Sequence, residues 1–230
     1  LSRREEEAFP RSVRVLAALI ETLLPPLDSA APVLIAGLGS RSITPDAVGP
    51  RSADHVIATR HLISRSPEFF ASWRPVSVLA PGVLGQTGVE TGEIVRGVLD
   101  HVRPHAVIAI DALAAGRLSR LVRTVQLADT GIVPGSGVNN ARTALDRQTL
   151  GVPVVSIGVP TVADGGSLAH EIAQQLDGAQ CEALDDLSQP FIITTRDIDR
   201  EVADTARLIG YAVNMALQHI SVEEIDLYLS

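Results

Sequence analysis

The sequence predicts an α/β fold, a single-domain, mostly parallel sheet with helices on both faces. Three observations predict it. Short aliphatic runs recur at 32–36, 76–80, 106–110 and 152–158, and unbroken runs of that length suit strands buried on both faces. Glycine-rich turns and then segments of helical periodicity separate them, and repeated strand, turn, helix, strand units imply right-handed βαβ crossovers. Of the 230 residues 46% are hydrophobic, with only four Phe, two Tyr and one Trp, so the core must be aliphatic.

Taken in order, residues 1–9 are charged and expected to fray. Val13, Leu16, Ala17, Ile20, Leu23 and Leu24 keep helical spacing over 12–24, and Pro25-Pro26 stops that helix. The first strand, 32–36, runs into Gly37 and a Gly/Ser/Pro loop over 37–50, followed by a helix over roughly 51–64. The second strand, 76–80, leads into the glycine turn 81–88 and a helix with Val89, Ile94, Val95 and Val98 on one face. The third, 106–110, ends at Asp111. A strand or edge strand is expected over 122–127 and a further strand over 152–158. Helices are expected at about 166–176 and 197–217, the last with Ile198, Val202, Ala206, Ile209, Val213 and Leu217 in register. The Gln-, Asp- and Ser-rich stretch 178–190 reads as a surface loop. With no repeat, low-complexity tract or linker, 1–230 reads as one domain.

Composition excludes several chemistries. All 19 basic residues are arginine, so a Schiff-base lysine, a Ser–Lys pair and a P-loop lysine are ruled out. A net charge of −8 without basic clusters argues against tight nucleic-acid binding. The single Cys181 cannot form an internal disulfide, and its acidic surroundings disfavour a thiolate. No stretch reaches transmembrane length.

Two aspartates stand where strands hand over to loops: Asp46, in Thr44-Pro45-Asp46, and Asp111, after Ala106-Val107-Ile108-Ala109-Ile110. Open α/β sheets place ligand chemistry at such strand ends. Two carboxylates together there could share a proton, activate a water or hold a metal. The competing reading of Asp111 is a helix N-cap, because Ala112-Leu113-Ala114-Ala115 is a good helix start. Gly37-Leu38-Gly39 fails as a dinucleotide fingerprint because Ser42 occupies the third glycine position. Asp129-Thr130-Gly131 matches the triplet of pepsin-like proteases, but those are all-β proteins with two such triplets. The turn-rich run 131–140 could present N–H donors to an oxyanion, or be a structural loop. Among six histidines no metal-binding spacing occurs; His55 and His61 follow the Asp46 loop closely enough to be weak metal candidates.

The order of motifs goes further. Gly37-Leu38-Gly39, Thr44-Pro45-Asp46-Ala47-Val48-Gly49-Pro50, Thr59-Arg60-His61, Arg74-Pro75-Val76 and Gly85-Gln86-Thr87-Gly88-Val89-Glu90-Thr91 come first. Ile108-Ala109-Ile110-Asp111-Ala112-Leu113, Asp129-Thr130-Gly131-Ile132, Pro134-Gly135-Ser136-Gly137-Val138 and Ile157-Gly158-Val159-Pro160-Thr161 follow. Together they resemble the germination protease family of spore-forming bacteria, densely over 33–164 and more loosely in the final helix.

The resemblance implies an atypical aspartic endopeptidase that degrades small acid-soluble spore proteins at germination. Its two proposed catalytic aspartates match Asp46 and Asp111. It implies a phosphorylase/hydrolase-like α/β sheet, also used by hydrogenase-maturation endopeptidases. It also implies a zymogen, a homotetramer and action in the cytoplasm of the spore core. The partner is then a DNA-coating protein, with no direct nucleic-acid or membrane contact, and no cofactor or metal is called for. Gly85, Gln86, Thr87, Asp129, Gly135, Ser136 and Gly137 are the candidates for binding the substrate and the oxyanion. Two alternatives stay open: a metal-dependent endopeptidase using Asp46, Asp111 and a histidine, and a non-catalytic binding relative.

Overall fold

The computed structural model describes residues 7–135, 143–166, 168 and 191–230. The aliphatic runs form β1 (Val33–Leu38), β2 (Val76–Gly82), β3 (Ala106–Ala114) and β5 (Val154–Asp164), joined by β4 (Gln126–Ala128) and β6 (Ile192–Ile193). The sheet runs β2-β1-β3-β5-β4, with β6 paired to the end of β5. β1, β2, β3 and β5 are mutually parallel, while β4 and β6 are antiparallel to β5. The fold is therefore α/β with a mostly parallel sheet, as the alternation of elements requires.

Alternate residues of each strand feed opposite faces. On one side Val33, Ile35, Ile108, Ile110, Val155 and Ile157 pack with α1 (Ala8–Leu23), α2 (Val48–Asp54), α4 (Ile198–Gln218) and α5 (Val222–Leu229). On the other, Leu34, Ala36, Val107, Ala109 and Val154 pack against Val95 and Leu99 of α3 (Thr91–Val102) and against Leu145. Burial on both faces explains why these strands read as continuous apolar runs.

Several boundaries differ from expectation. β3 and β5 do not stop at 110 and 158; they continue side by side through Leu113↔Pro160 and Ala114↔Val162. Each supplies the other's main-chain partners, which outweighs the helix propensity of 112–115. The helix expected at 51–64 is two, α2 and Arg60–Arg65. Between them Ile57 N–H donates to Asn214 Oδ1 (2.9 Å), and the Thr59 hydroxyl accepts from Val76 N–H (2.8 Å), so side chains and not the helix satisfy or recruit that stretch. Of the strand or edge strand expected over 122–127, the part that forms is the short edge strand β4, which starts at Gln126; a 3-10 turn at Leu118–Arg120 precedes it. Helix α5 has a readable signal in its capping box, Ser221 with Glu224. The expectations for 169–176 and 178–190 lie outside the described residues.

One buried polar residue ties the long helix to this connection. Asn214 in α4 is 2% exposed. It accepts from Ile57 N–H and donates from Nδ2 to the His55 carbonyl (2.7 Å). Asn214→Ala leaves both main-chain groups buried without a partner. It is expected to lower stability by about 1–3 kcal/mol in denaturant unfolding.

His55 stacks edge-on near Tyr211, with ring centroids 6.2 Å apart. Burial holds its imidazole below the ordinary histidine range, opposed by Asp54 and aided by Arg207. The unfolded chain therefore takes up this proton first. The stability tied to neutral His55 is full above about pH 6.5 and falls as the pH drops through that value. The melting temperature is expected to decline between about pH 7 and pH 5.5, and less steeply in His55→Gln.

Candidate active site

From β1 the chain moves to β2 on one side, then crosses to β3 on the other. At the carboxyl ends of β1 and β3 the connections diverge, which is where an open α/β sheet leaves a crevice. A cavity of about 450 Å³ lies there, and both Asp46 and Asp111 line it. Its walls are otherwise largely apolar, from Leu38, Val83, Leu113, Val133, Pro134 and Ile192. Among the described residues lining it, these two aspartates are the ionisable ones.

Asp46 is delivered by a tightly built loop. Gly39 has φ +105°, and a Cβ there would lie 2.1 Å from the Asp46 carbonyl oxygen, so only glycine lets the loop fold back so closely. Pro45 presets the 3-10 turn Thr44–Asp46. Ser40 N–H donates to Asp46 Oδ2 (2.7 Å). Gln86 Nε2 in turn donates to the hydroxyls of Ser40 (2.8 Å) and Ser42 (3.0 Å). From the opposite side, Thr44 Oγ1 donates to Asp199 Oδ1 of α4 (2.8 Å). The carboxylate is thus buttressed from the turn after β2 and from the long helix.

Asp111 does not cap a helix. It sits within β3 opposite Gly158, is 4% exposed, and accepts from Ala112 N–H at Oδ1 (2.9 Å). Two threonines that the sequence did not single out share the cavity. Thr91, at the start of α3, donates its hydroxyl to the Gly82 carbonyl (3.2 Å). Thr161 falls between Leu113↔Pro160 and Ala114↔Val162, so it is an extra, bulged residue of β5. It lines the cavity, and its hydroxyl is buried with no hydrogen-bond partner among the described residues. A strand read as ending at 158 concealed it.

Of the expected substrate-binding residues, Gly135 lines the cavity. Gly85, Gln86 and Thr87 form an exposed helical turn beside the Asp46 loop. The N–H groups of Gln86 and Thr87 are committed there to the Val83 carbonyl (2.8 and 3.1 Å), so the contact of Gln86 with that loop is made by its side chain. Asp129 is exposed past the edge strand β4 and does not line the cavity. Ser136 and Gly137 lie outside the described residues. Neither His55, packed near Tyr211, nor the exposed His61 lines the cavity. Among the described residues no group of three His, Cys, Asp or Glu side chains is placed to hold a metal ion. No helix among them is long and apolar enough to cross a membrane.

The germination protease of Caldanaerobacter subterraneus subsp. tengcongensis is 40% identical over 245 residues, covering 95% of this chain and 75% of that protein. The germination protease of Clostridium acetobutylicum is 37% identical over 232 residues, covering 89% and 71%. That of Bacillus subtilis is 46% identical over 171 residues, covering 74% of this chain and 46% of its own length. Among solved structures, the [NiFe] hydrogenase maturation protease HycI of Thermococcus kodakarensis is 17% identical. That match covers 85% of this chain and 98% of that one with a TM-score of 0.45. The profile of the family described as germination protease matches residues 3–177. With that match and relatives aligned over nearly the whole chain, this chain belongs to the germination protease family and is an endopeptidase.

Proposed function

We propose that this endopeptidase cleaves small acid-soluble spore proteins with a water activated between Asp46 and Asp111. The observation that carries the reading is that these two carboxylates, one after β1 and one within β3, line the same cavity. The ionised carboxylate takes a proton from the water as its oxygen attacks the scissile carbonyl carbon. The protonated partner hydrogen-bonds the carbonyl oxygen and stabilises the tetrahedral intermediate. The C–N bond then breaks, and the amine leaves with a proton returned from the pair. Like charges in one cavity oppose double ionisation, so the two roles belong to the pair.

The same reading places the enzyme in the core of the germinating spore, as a homotetramer matured from a zymogen. Its partner is the DNA-coating protein and not the DNA; the net charge of −8 suits that choice.

Asp46→Asn and Asp111→Asn keep shape and remove the shared proton. Each is expected to lower kcat on a purified spore protein by about 100-fold or more, with little change in melting temperature. Wild-type-like cleavage by either folded variant would sink the mechanism. Cleavage that is lost with a chelator and restored by a divalent ion would replace it with metal-assisted hydrolysis. Gln86→Ala removes the brace on Ser40 and Ser42 behind Asp46. It is expected to lower kcat by up to about 100-fold through misplacement of the carboxylate, with KM much less affected; steady-state kinetics separates the two.

A further inference from the structure

We propose that the substrate chain is held as an added β-strand along the open edge of β3 at Ala112 and Ala114, an inference that rests on the peptidase reading of this cavity. Up to Ile110, β3 is paired on both edges, with β1 ending its ladder at Gly37↔Ile110. Beyond that level β1 leaves the sheet at Leu38, while β5 stays alongside β3 to Ala114↔Val162. Among the described strands, none takes the place that β1 vacates.

The direction of the main-chain groups follows from alternation along a strand. Val107 N–H donates to the Pro153 carbonyl (2.9 Å) and Ala115 N–H to the Val162 carbonyl (2.6 Å). Odd-numbered residues of β3 therefore turn their N–H groups toward β5, and even-numbered residues turn theirs toward β1. Ala112 and Ala114 are even-numbered and lie past the end of β1. Ala112 N–H folds onto the Asp111 carboxylate (2.9 Å). The Ala112 carbonyl and the Ala114 N–H and carbonyl then form an acceptor, donor, acceptor row on the open edge.

That row is complementary to the backbone of an extended peptide. Residues 112–114 also line the cavity that holds Asp46 and Asp111, so a chain bound there is presented to both carboxylates. One substrate residue would donate its N–H to the Ala112 carbonyl and accept from Ala114 N–H. A second, two residues on, would donate to the Ala114 carbonyl. Alternate side chains would face the apolar walls. Main-chain bonds of this kind supply affinity in other strand-adding recognition modes.

The test uses a peptide spanning a bond that the enzyme cleaves in a small acid-soluble spore protein. Each amide except the scissile one is replaced in turn by an ester, which removes one N–H without adding bulk. Absence of cleavage of the all-amide peptide and its parent protein would defeat the peptidase reading itself. With cleavage established, KM is expected to rise roughly 3- to 10-fold at alternate positions and to stay near the parent value between them. A flat series, or losses at consecutive positions, would overturn strand addition while leaving the peptidase reading intact. Ala114→Pro, which removes the edge N–H where proline is tolerated, is expected to raise KM for the all-amide peptide. A folded Ala114→Pro enzyme with unchanged KM would also overturn the proposal, and the ester series decides it on the wild-type enzyme if that variant does not fold.

Discussion

A Cβ on Gly49 would lie 2.2 Å from the Leu38 carbonyl oxygen and 2.4 Å from that of Ile110. Helix α2 therefore rests directly on the main chain of β1 and β3 where their pairing ends. Gly37 makes the matching approach from the strand, with its Cβ direction 2.3 Å from the Gly49 carbonyl oxygen. This contact leaves no room for side chains between helix and sheet. It holds the short loop between β1 and α2 against the sheet end, and Asp46 comes with it. The family motif around Thr44-Pro45-Asp46-Ala47-Val48-Gly49 can be understood physically as one device: a stiff turn carrying a carboxylate, seated by a glycine.

The second constraint comes from the other side of the crevice. β3 and β5 extend past the level where β1 leaves, so Asp111 is set within a paired strand and not on a loop tip. A carboxylate positioned by a strand is more rigid than one on a loop, and sites on such elements hold geometry better. The Asp46 side depends on hydrogen bonds for the same purpose. The Gln86 side chain, Ser40, Ser42 and the Ser40 N–H form a connected run ending at the carboxylate. A predominantly apolar cavity around both groups reduces screening, so each placed hydrogen bond counts for more than it would in water.

Residues of the motifs Thr59-Arg60-His61 and Arg74-Pro75-Val76 include structural fasteners. Thr59 accepts from Val76 N–H, and the Gln218 side chain exchanges hydrogen bonds with the main chain of Arg74 (both 2.9 Å). Arg74 Nη1 reaches the carbonyls of Asp28 and Ala31 (2.7 and 3.1 Å). These contacts fasten the start of β2 to the long helix and to the entry of β1. His55 likewise belongs to the packing of α2 on α4 and does not line the cavity.

Local pattern in the sequence was enough for the α/β class and the strand cores, and it pointed to the two aspartates as candidates. Burial on both faces writes continuous apolar runs, and the residues at the strand ends can be read against them. The family could also be read, because Asp46 and Asp111 each lie in a long ordered series of motifs. Strand ends and side-chain partners needed the tertiary structure. Residues 112–114 have helix-favouring composition and become strand only because β5 offers partners on one edge. Thr161 enters the cavity only because that pairing contains a bulge. The joining of Asp46 and Asp111 depends on strand order, which places β1 beside β3 although β2 intervenes in the chain. Such long-range pairings carry no local signature: they are decided by which main-chain groups find partners once the sheet is assembled.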